Sequence, residues 1–299
     1  MMKLIGENIN VMVTKIGTAM KEGDAKTIQE LAVSEAEAGM DYLDINLGPA
    51  RKGGAELMEW IVKAIQEVVD LPLYLDTTNV EAIEAGLKVY KNKKGKAVIN
   101  SIMARPERME AELPLAKKYD AGFVALLWGP EGMPRDEAER GVLATELMNK
   151  AAEYGIPNED IWIDPIVTPV SAQQDQVNSM VQFMMMFRDL QEMAPGLKST
   201  CGLSNVSNGA PKDLRPILNQ TYLMILEKYG MASAIVDAFD DELKAFARGE
   251  REDIKKLIQE VADGEEPDLA SLSKEHADYV KTAKVLLGHS LYSDSWLEL

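Results

Sequence analysis

Short apolar segments rich in β-branched residues alternate along this chain with longer segments in which apolar residues recur at the helical period. The short segments number eight: "KLIGENIN", "YLDINLG", "LPLYLDTTN", "KAVINS", "GFVALLWG", "IWIDPIV", "KSTCGLSN" and "SAIVDAFD". The amphipathic segments lie at residues 16–38, 54–69, 80–90, 105–118, 134–154, 172–193 and 214–229, and a helical tail follows. Eight strands that alternate with helices predict a (β/α)8 TIM barrel, an α/β fold; a doubly wound open sheet is the alternative.

The chain shows no Pro/Ser-rich linker and no internal repeat at a fixed period. A barrel of this kind needs about 250 residues, so one domain accounts for residues 1–299.

Most of the short segments begin with apolar residues and end with polar ones. The polar residues are Asn8, Asn10, Asp44, Asn46, Asp76, Asn79, Asn100, Ser101, Asp164, Ser204, Asn205 and Asp237. Asp, Asn and Ser are also common helix caps and turn formers, so a single such residue would carry little meaning. In a barrel, however, these strand ends meet at one mouth, where active sites are built. The repeated pattern therefore predicts a polar pocket.

The charge of the chain restricts the classes of partner that it can bind. Lys and Arg total 32 against 49 Asp and Glu, which gives a net charge of −17 at pH 7. Such a chain repels nucleic acids and anionic membrane surfaces. It has neither an apolar window of roughly 18 residues nor a signal-peptide pattern, so we expect a cytoplasmic protein.

Few residues suited to metal or nucleophilic chemistry are present. Cys201 is the single cysteine, and the two histidines, His276 and His289, lie in segments read as helical. Neither histidine clusters with Cys201 or with paired carboxylates, so the sequence predicts no metal site. The glycine-rich phosphate loops "GxGxxG" and "GxxxxGK[ST]" are also absent. Cys201 should face away from Gly202 by strand alternation and behave as a small buried hydrophobe.

A mouth that offers carboxylates and amides but few cations suits a neutral, flat, hydrogen-bonding ring better than a phosphate. An Asp carboxylate can accept two parallel hydrogen bonds from an amidine-like edge, and Asn can both donate and accept. A 2-amino-4-oxopyrimidine has such an edge.

Motifs along nearly the whole chain resemble the pterin-binding (β/α)8 methyltransferases. The matching stretches are "IGENIN", "LDINLGPA", "YLDTTNVEAIEAGLK", "VINS", "IDPIV", "GLSNVS" and "VLLGHSLYSDSW". The resemblance is strongest to the methyltetrahydrofolate:corrinoid iron-sulfur protein methyltransferases and to the tetrahydrofolate-dependent components of O-demethylase and methylamine-type systems. Dihydropteroate synthases share the fold, but here "DINLGPARKGG" replaces their second-strand loop and "IVDAFDD" lacks their Ser-x-Arg. Homocysteine methylation would need a zinc thiolate site, which a single cysteine does not support.

The resemblance implies roles for particular residues. Asp164 looks like the carboxylate that holds the pterin's 2-amino and N3 edge, Asn100 like an amide partner on the pyrimidine, and Asp76 should lie beside them. Asn205 resembles the asparagine that hydrogen-bonds N5, with Asp76 as a relay for a solvent proton. Further residues expected at the substrate are Asp44, Gly202, Ser204, Ser207, Asn208 and Arg215.

The resemblance also implies partners. Methyltetrahydrofolate would be the substrate, and cobalamin would be carried by a separate corrinoid protein because the chain lacks a D-x-H-x-x-G signature. That protein could belong to an O-demethylase, a methylamine-type system or the iron-sulfur type. We expect a homodimer, and the segment "MVQFMMMFRDL" is read as helix packing or a dimer surface. Residues 244–274 add a C-terminal helix and loop that either select the partner or cap the barrel. A dihydropteroate-synthase-like enzyme and a non-catalytic folate-binding protein remain alternatives.

Overall fold

The computed structural model describes residues 2–298, and its centre is a sheet of eight parallel strands. The strands are β1 (Lys3–Gly6), β2 (Tyr42–Asn46), β3 (Leu73–Asp76), β4 (Val98–Met103), β5 (Gly122–Leu126), β6 (Ile161–Asp164), β7 (Lys198–Ser199) and β8 (Ser233–Val236). Their order in the sheet is β7-β6-β5-β4-β3-β2-β1-β8.

The sheet closes between β7 and β8. The Ile235 amide donates to the Cys201 carbonyl at 2.8 Å, and Gly202 pairs with Ile235 in a parallel bridge. With β1 also paired to β8, this bridge from the residues just after β7 closes the ring of strands. The predicted (β/α)8 barrel is therefore confirmed, and the open-sheet alternative is wrong.

Helices cover the outside of the barrel. They are α1 (Thr14–Glu22), α2 (Ala25–Glu37), α3 (Gly54–Gln66), α4 (Val80–Val89), α5 (Pro106–Lys118), α6 (Glu137–Glu153), α7 (Val170–Met193), α8 (Arg215–Lys228), α9 (Asp241–Arg248), α10 (Glu252–Ala262) and α11 (Lys274–Leu286). The sequence predicted one helix over residues 16–38, which is wrong. Gly23 adopts a left-handed conformation with φ 70°, and the Asp24 side chain then caps a new helix by accepting from the Thr27 amide.

The inward-facing side chains of the barrel change from apolar to mostly polar from one inward-facing position to the next along each strand. An apolar and aromatic layer packs near the amino-terminal ends of the strands: Ile5, Tyr42, Tyr74, Val98, Val124, Trp162 and Ile235. Side chains alternate along a strand, so the residue two positions further points to the same side. Those residues are Glu7, Asp44, Asp76, Asn100, Leu126, Asp164 and Asp237. The mouth therefore receives one ring of mostly polar side chains.

The C-terminal part extends beyond the helix that follows β8. Helix α9 follows β8 as the last barrel helix, so residues 244–274 combine the end of α9 with all of α10 and a short 3-10 turn, Leu269–Ser271. His276 lies in α11, whereas His289 lies after its end, so the helical prediction for His289 is wrong.

Within residues 2–298, no helix combines the length and hydrophobicity needed to cross a membrane.

Candidate functional site

A cavity of about 320 Å³ opens at the carboxyl ends of the strands. Its lining is Glu7, Asn10, Asp44, Asn46, Asp76, Asn100, Ser101, Leu126, Asp164, Ile166, Val167, Gly202, Asn205 and Ile235. The volume falls in the range of small-molecule sites, and the lining described here contains carboxyl and amide groups but no cationic side chain. Six of the ten predicted site residues lie here: Asp44, Asp76, Asn100, Asp164, Gly202 and Asn205.

Asp164 stands at the end of β6 on a strained loop. Its Oδ1 accepts from the Ile166 amide at 2.8 Å, and Ile166 adopts φ 70°, a region that β-branched residues rarely occupy. Burial raises the pKa of Asp164 to about 6, against the opposing effects of the Ile166 amide and of Arg140. The carboxylate is thus mostly ionised at neutral pH and ready to accept hydrogen bonds from a ring edge.

Asp44 and Asp76 form a second acidic group on β2 and β3. Asn100 donates to Asp44 Oδ1 at 3.0 Å, and the Asn46 side chain donates to Asp76. Burial raises the pKa of both carboxyls, to about 7 for Asp76, and the charge of Asp76 raises that of Asp44 further. Burial of both groups and the charge of Asp76 therefore disfavour full ionisation of the two carboxyls near neutral pH.

Asn205 lies on a short 3-10 turn, Leu203–Ser207, that follows β7. It is exposed to the cavity, and its Oδ1 accepts from Asn208 Nδ2 at 3.2 Å. A Cβ atom on Gly202 would stand 3.0 Å from Asn205 Nδ2, so the glycine leaves room for the amide to move. Cys201 is buried, as predicted.

Four predicted residues lie close to the site but do not line the cavity. The Ser204 hydroxyl donates to Glu7 at 2.7 Å, and the Ser207 hydroxyl donates to the Ser204 carbonyl at 3.2 Å. Asn208 reaches Asn205 as described, and Arg215 Nε donates to the Ala210 carbonyl at 3.0 Å. They organise the loop after β7 rather than the cavity wall.

The sequence hypothesis missed Glu7. This residue is two positions beyond the inward-facing Ile5, so the alternation that places Asp44 and Asp76 in the mouth also places Glu7 there. Asn10 and Asn46 were recognised as strand-end polar residues but not as site residues, and both line the cavity. Asn79 shows the opposite case, because its side chain caps α4 by accepting from the Glu81 and Ala82 amides.

The Met-rich segment lies on α7 and only half of it faces the core. Met180 and Met184 are buried, whereas Met185 and Met186 are about half exposed. Met186 and Met193 border a groove of about 900 Å³ between α5, α6 and α7, away from the mouth. The homodimer stays a prediction.

A sequence model of one protein family, described as pterin binding enzyme, matches residues 6–237, from the end of β1 to the residue after β8. The chain belongs to the pterin-binding enzyme family. The match confirms the family resemblance that the strand-end motifs indicated.

Two curated relatives are similar to this pterin-binding enzyme. Methylcorrinoid:tetrahydrofolate methyltransferase of Eubacterium limosum is 29% identical over 238 residues, which cover 79% of this chain and 85% of the relative. Methionine synthase of Mycobacterium leprae is 28% identical over 243 residues, which cover 79% of this chain but only 20% of that protein.

Solved structures of dihydropteroate synthases share the fold. The enzyme from Stenotrophomonas maltophilia superposes with a TM-score of 0.60 at 18% identity, covering 84% of this chain and 93% of the other. The enzyme from Xanthomonas albilineans, in complex with 7,8-dihydropteroate, gives a TM-score of 0.57 at 19% identity over the same shares. At this identity the likeness concerns the fold alone.

Proposed function

We propose that this pterin-binding enzyme transfers a methyl group between N5 of methyltetrahydrofolate and the cobalt of a corrinoid held by a separate protein. The observation that carries the proposal is the similarity, over 85% of its length, to the relative named methylcorrinoid:tetrahydrofolate methyltransferase. The acidic and amide-rich cavity supports it, since it suits a neutral pterin ring.

The pyrimidine end of the pterin is assigned to β3, β4 and β6. Asp164 would accept from the 2-amino and N3 groups, and Asn100 would bond the ring from β4. Asp76 lies beside them, with Asp44 behind Asn100 at 3.0 Å. A carboxylate that stays ionised forms charge-assisted hydrogen bonds, the strong kind.

Asn205 is assigned to N5, the nitrogen that carries the methyl group. A tertiary amine is a poor leaving group unless positive charge develops on its nitrogen. Asn205 cannot supply a proton, but its amide oxygen can accept a hydrogen bond from protonated N5. Such a bond is stronger in the transition state than in the ground state, which is the condition for catalysis.

The corrinoid protein would dock over the mouth. Apolar side chains are exposed on two loops beside the cavity: Met12 and Val13 after β1, and Phe239 after β8. Exposed apolar groups at a polar mouth are typical of an interaction surface. Helix α10 is a candidate element for choosing between O-demethylase, methylamine-type and iron-sulfur corrinoid proteins.

The test of the function mixes the protein with methyltetrahydrofolate and a panel of corrinoid proteins reduced to Co(I). Formation of methyl-Co(III) is followed by its absorbance, and the reverse reaction and a methanopterin substrate are measured in parallel. Methyl transfer with at least one partner is expected. Folate binding without transfer to any partner would favour the non-catalytic binding protein instead.

Asn205→Ala should lower the rate of methyl transfer by about 10²-fold or more, the usual effect of one positioned hydrogen-bonding group. The measurement is single-turnover absorbance at saturating folate. Asn92→Ala is the control, because Asn92 is exposed on the loop before β4, at the other end of the barrel. A wild-type rate for Asn205→Ala would remove Asn205 from the mechanism, and a circular dichroism spectrum would confirm that the variant folds.

A further inference from the structure

Methyl transfer leaves an electron pair on N5, so N5 must take up a proton. The amide of Asn205 cannot be the source of that proton. The sequence hypothesis assigned Asp76 as the residue that relays this proton from solvent. In the closed barrel, however, β3 lies four strands from β7 in either direction. Asp76 is thus on the opposite side of the mouth from Asn205, whereas Glu7, after β1, is only two strands away.

Glu7 is also bonded to the turn that carries Asn205. Four carboxyl groups line the cavity, from Glu7, Asp44, Asp76 and Asp164. Asp44 and Asp76 accept from asparagine side chains, and Asp164 accepts from the Ile166 amide. Glu7 accepts from the hydroxyl of Ser204, the residue next to Asn205, at 2.7 Å.

Two further acidic groups flank Glu7. They are Glu35 on α2 and Asp237 after β8, and Asn8 donates a hydrogen bond to each. The Asn8 backbone amide donates to Glu35 at 2.9 Å, and the Asn8 side chain donates to Asp237 at 2.9 Å. Gly6 makes the room, because a Cβ there would stand 2.5 Å from Glu35 Oε1. The hydrogen bonds described for these carboxyls come from neutral groups.

These surroundings disfavour a negative charge on Glu7. Burial raises the pKa of Glu7 to about 7, the charge of Asp237 adds to the effect, and the bond from Ser204 opposes it. The pKa of Glu35 is raised to about 8 by burial, with Asp237 and Glu7 adding to it, and Asp44 on β2 also has a raised pKa. An acid whose pKa lies near the working pH is the most effective proton donor.

The geometry points to Glu7 as the acid that protonates N5, an assignment that rests on the proposed function. The proton passes from the Glu7 carboxyl to N5, and the bond from N5 to the methyl carbon breaks with its electron pair left on nitrogen. The methyl group bonds to Co(I), which supplies both electrons and becomes methyl-Co(III). Tetrahydrofolate leaves with N5–H, and solvent returns a proton to the Glu7 carboxylate. In the reverse direction the carboxylate takes the proton from N5.

The first test is Glu7→Gln, which keeps the shape of the side chain and removes its acidic proton. In the wild type, transfer from methyltetrahydrofolate to Co(I) should slow as pH rises through about 7. The variant should be slower by about 10²-fold at pH 6.5, the usual contribution of a general acid, and should lack that fall. Its affinity for methyltetrahydrofolate, measured by equilibrium dialysis, should stay within about threefold of wild type because Asp164 and Asn100 hold the ring.

Ser204→Ala is the second test, and it answers the question even if Glu7→Gln does not fold. Removal of the hydroxyl deletes a bond that favours the charged form of Glu7, so the fall in rate should move to higher pH. Asn205→Ala should instead lower the rate at every pH and leave the fall near its wild-type position.

The outcomes separate this assignment from the proposed function. A wild-type rate for Glu7→Gln, or an unmoved pH dependence for Ser204→Ala, overturns the role of Glu7 while methyl transfer by the wild type stands. A loss of rate explained wholly by weaker folate binding also overturns it, since Glu7 would then be a binding residue. No transfer by the wild type to any Co(I) partner overturns the proposed function itself, and the assignment with it.

Discussion

The loop that presents Asp164 is held from behind by a fully buried arginine. Arg140 on α6 donates to the Pro165 carbonyl at 2.9 Å, to Ser179 at 2.9 Å and to Gln176 at 3.0 Å. All three acceptors are neutral, and burial lowers the pKa of Arg140. A left-handed Ile166 costs roughly 1–3 kcal/mol, and such strain persists only where the surroundings enforce it. Arg140 holds the carbonyl of the preceding residue, Pro165, and Asp164 holds the Ile166 amide.

Arg140→Met should therefore weaken the binding of methyltetrahydrofolate by about tenfold, which corresponds to about 1.4 kcal/mol. The Pro165 carbonyl loses its partner and Asp164 loses its fixed position. Equilibrium dialysis measures the dissociation constant, and Arg135→Met, at an exposed arginine just before α6, serves as the control. An unchanged dissociation constant in a folded Arg140→Met variant would show that the strained loop keeps its conformation without Arg140.

At this scale the sequence predicted residue types better than contacts. Asp164, Asn100 and Asn205 lie in the cavity because strand ends converge in a barrel, whatever the details of each loop. Ser204 and Arg215 were assigned to the substrate, but Ser204 donates to Glu7 and Arg215 donates to the Ala210 carbonyl. Glu7 is distant along the chain, and the bond to Ala210 depends on the geometry of the loop. The position of Glu7 in the mouth was predictable from strand alternation. The position of Glu35 beside it was not, because it depends on how α2 packs against the end of β1.

Helix α10 illustrates how an added element is fixed to the barrel. Its apolar stripe, Ile254, Ile258 and Val261, is completely buried, and Lys255 pairs with Glu227 of α8 at 2.9 Å. The helix is therefore part of the folded unit. Its existence was visible in the sequence from helical periodicity, but the break between α1 and α2 was not, because it depends on one left-handed glycine.

Ile258→Ala should lower the free energy of unfolding by about 2–4 kcal/mol, the cost of a large-to-small change in a core. Urea titration followed by circular dichroism measures it. Lys256→Ala, on the exposed face of the same helix, should change it by less than about 0.5 kcal/mol. Equal small effects of both changes would mean that α10 is only loosely attached, and it could then be deleted to test partner choice.

For the molecule as a whole, the acidic mouth sets how stability depends on pH. The pKa of Glu35 is about 8 in the folded chain, above its ordinary value of 4.5. The folded state therefore binds more protons than the unfolded state between these pH values, and the free energy of unfolding falls as pH rises. The contribution of Glu35 is complete below about pH 4.5 and is lost as pH passes about 8. The net charge of −17 acts in the same direction through self-repulsion.

Glu35→Gln should consequently flatten this dependence. The amide keeps the bond from the Asn8 amide and cannot ionise, and its NH2 group takes the place of Oε2, a buried oxygen with no hydrogen-bond partner in the described chain. From pH 5.5 to 8.5 the melting temperature of the variant should fall less than that of wild type, by at least about 2 °C. Glu37→Gln, exposed on the same helix, should follow the wild-type curve. Parallel curves for Glu35→Gln and wild type would mean that Glu35 ionises freely in the folded protein. Glu35 would then carry a negative charge beside Asn8 at neutral pH, and the pH dependence of methyl transfer should be remeasured in the same variant.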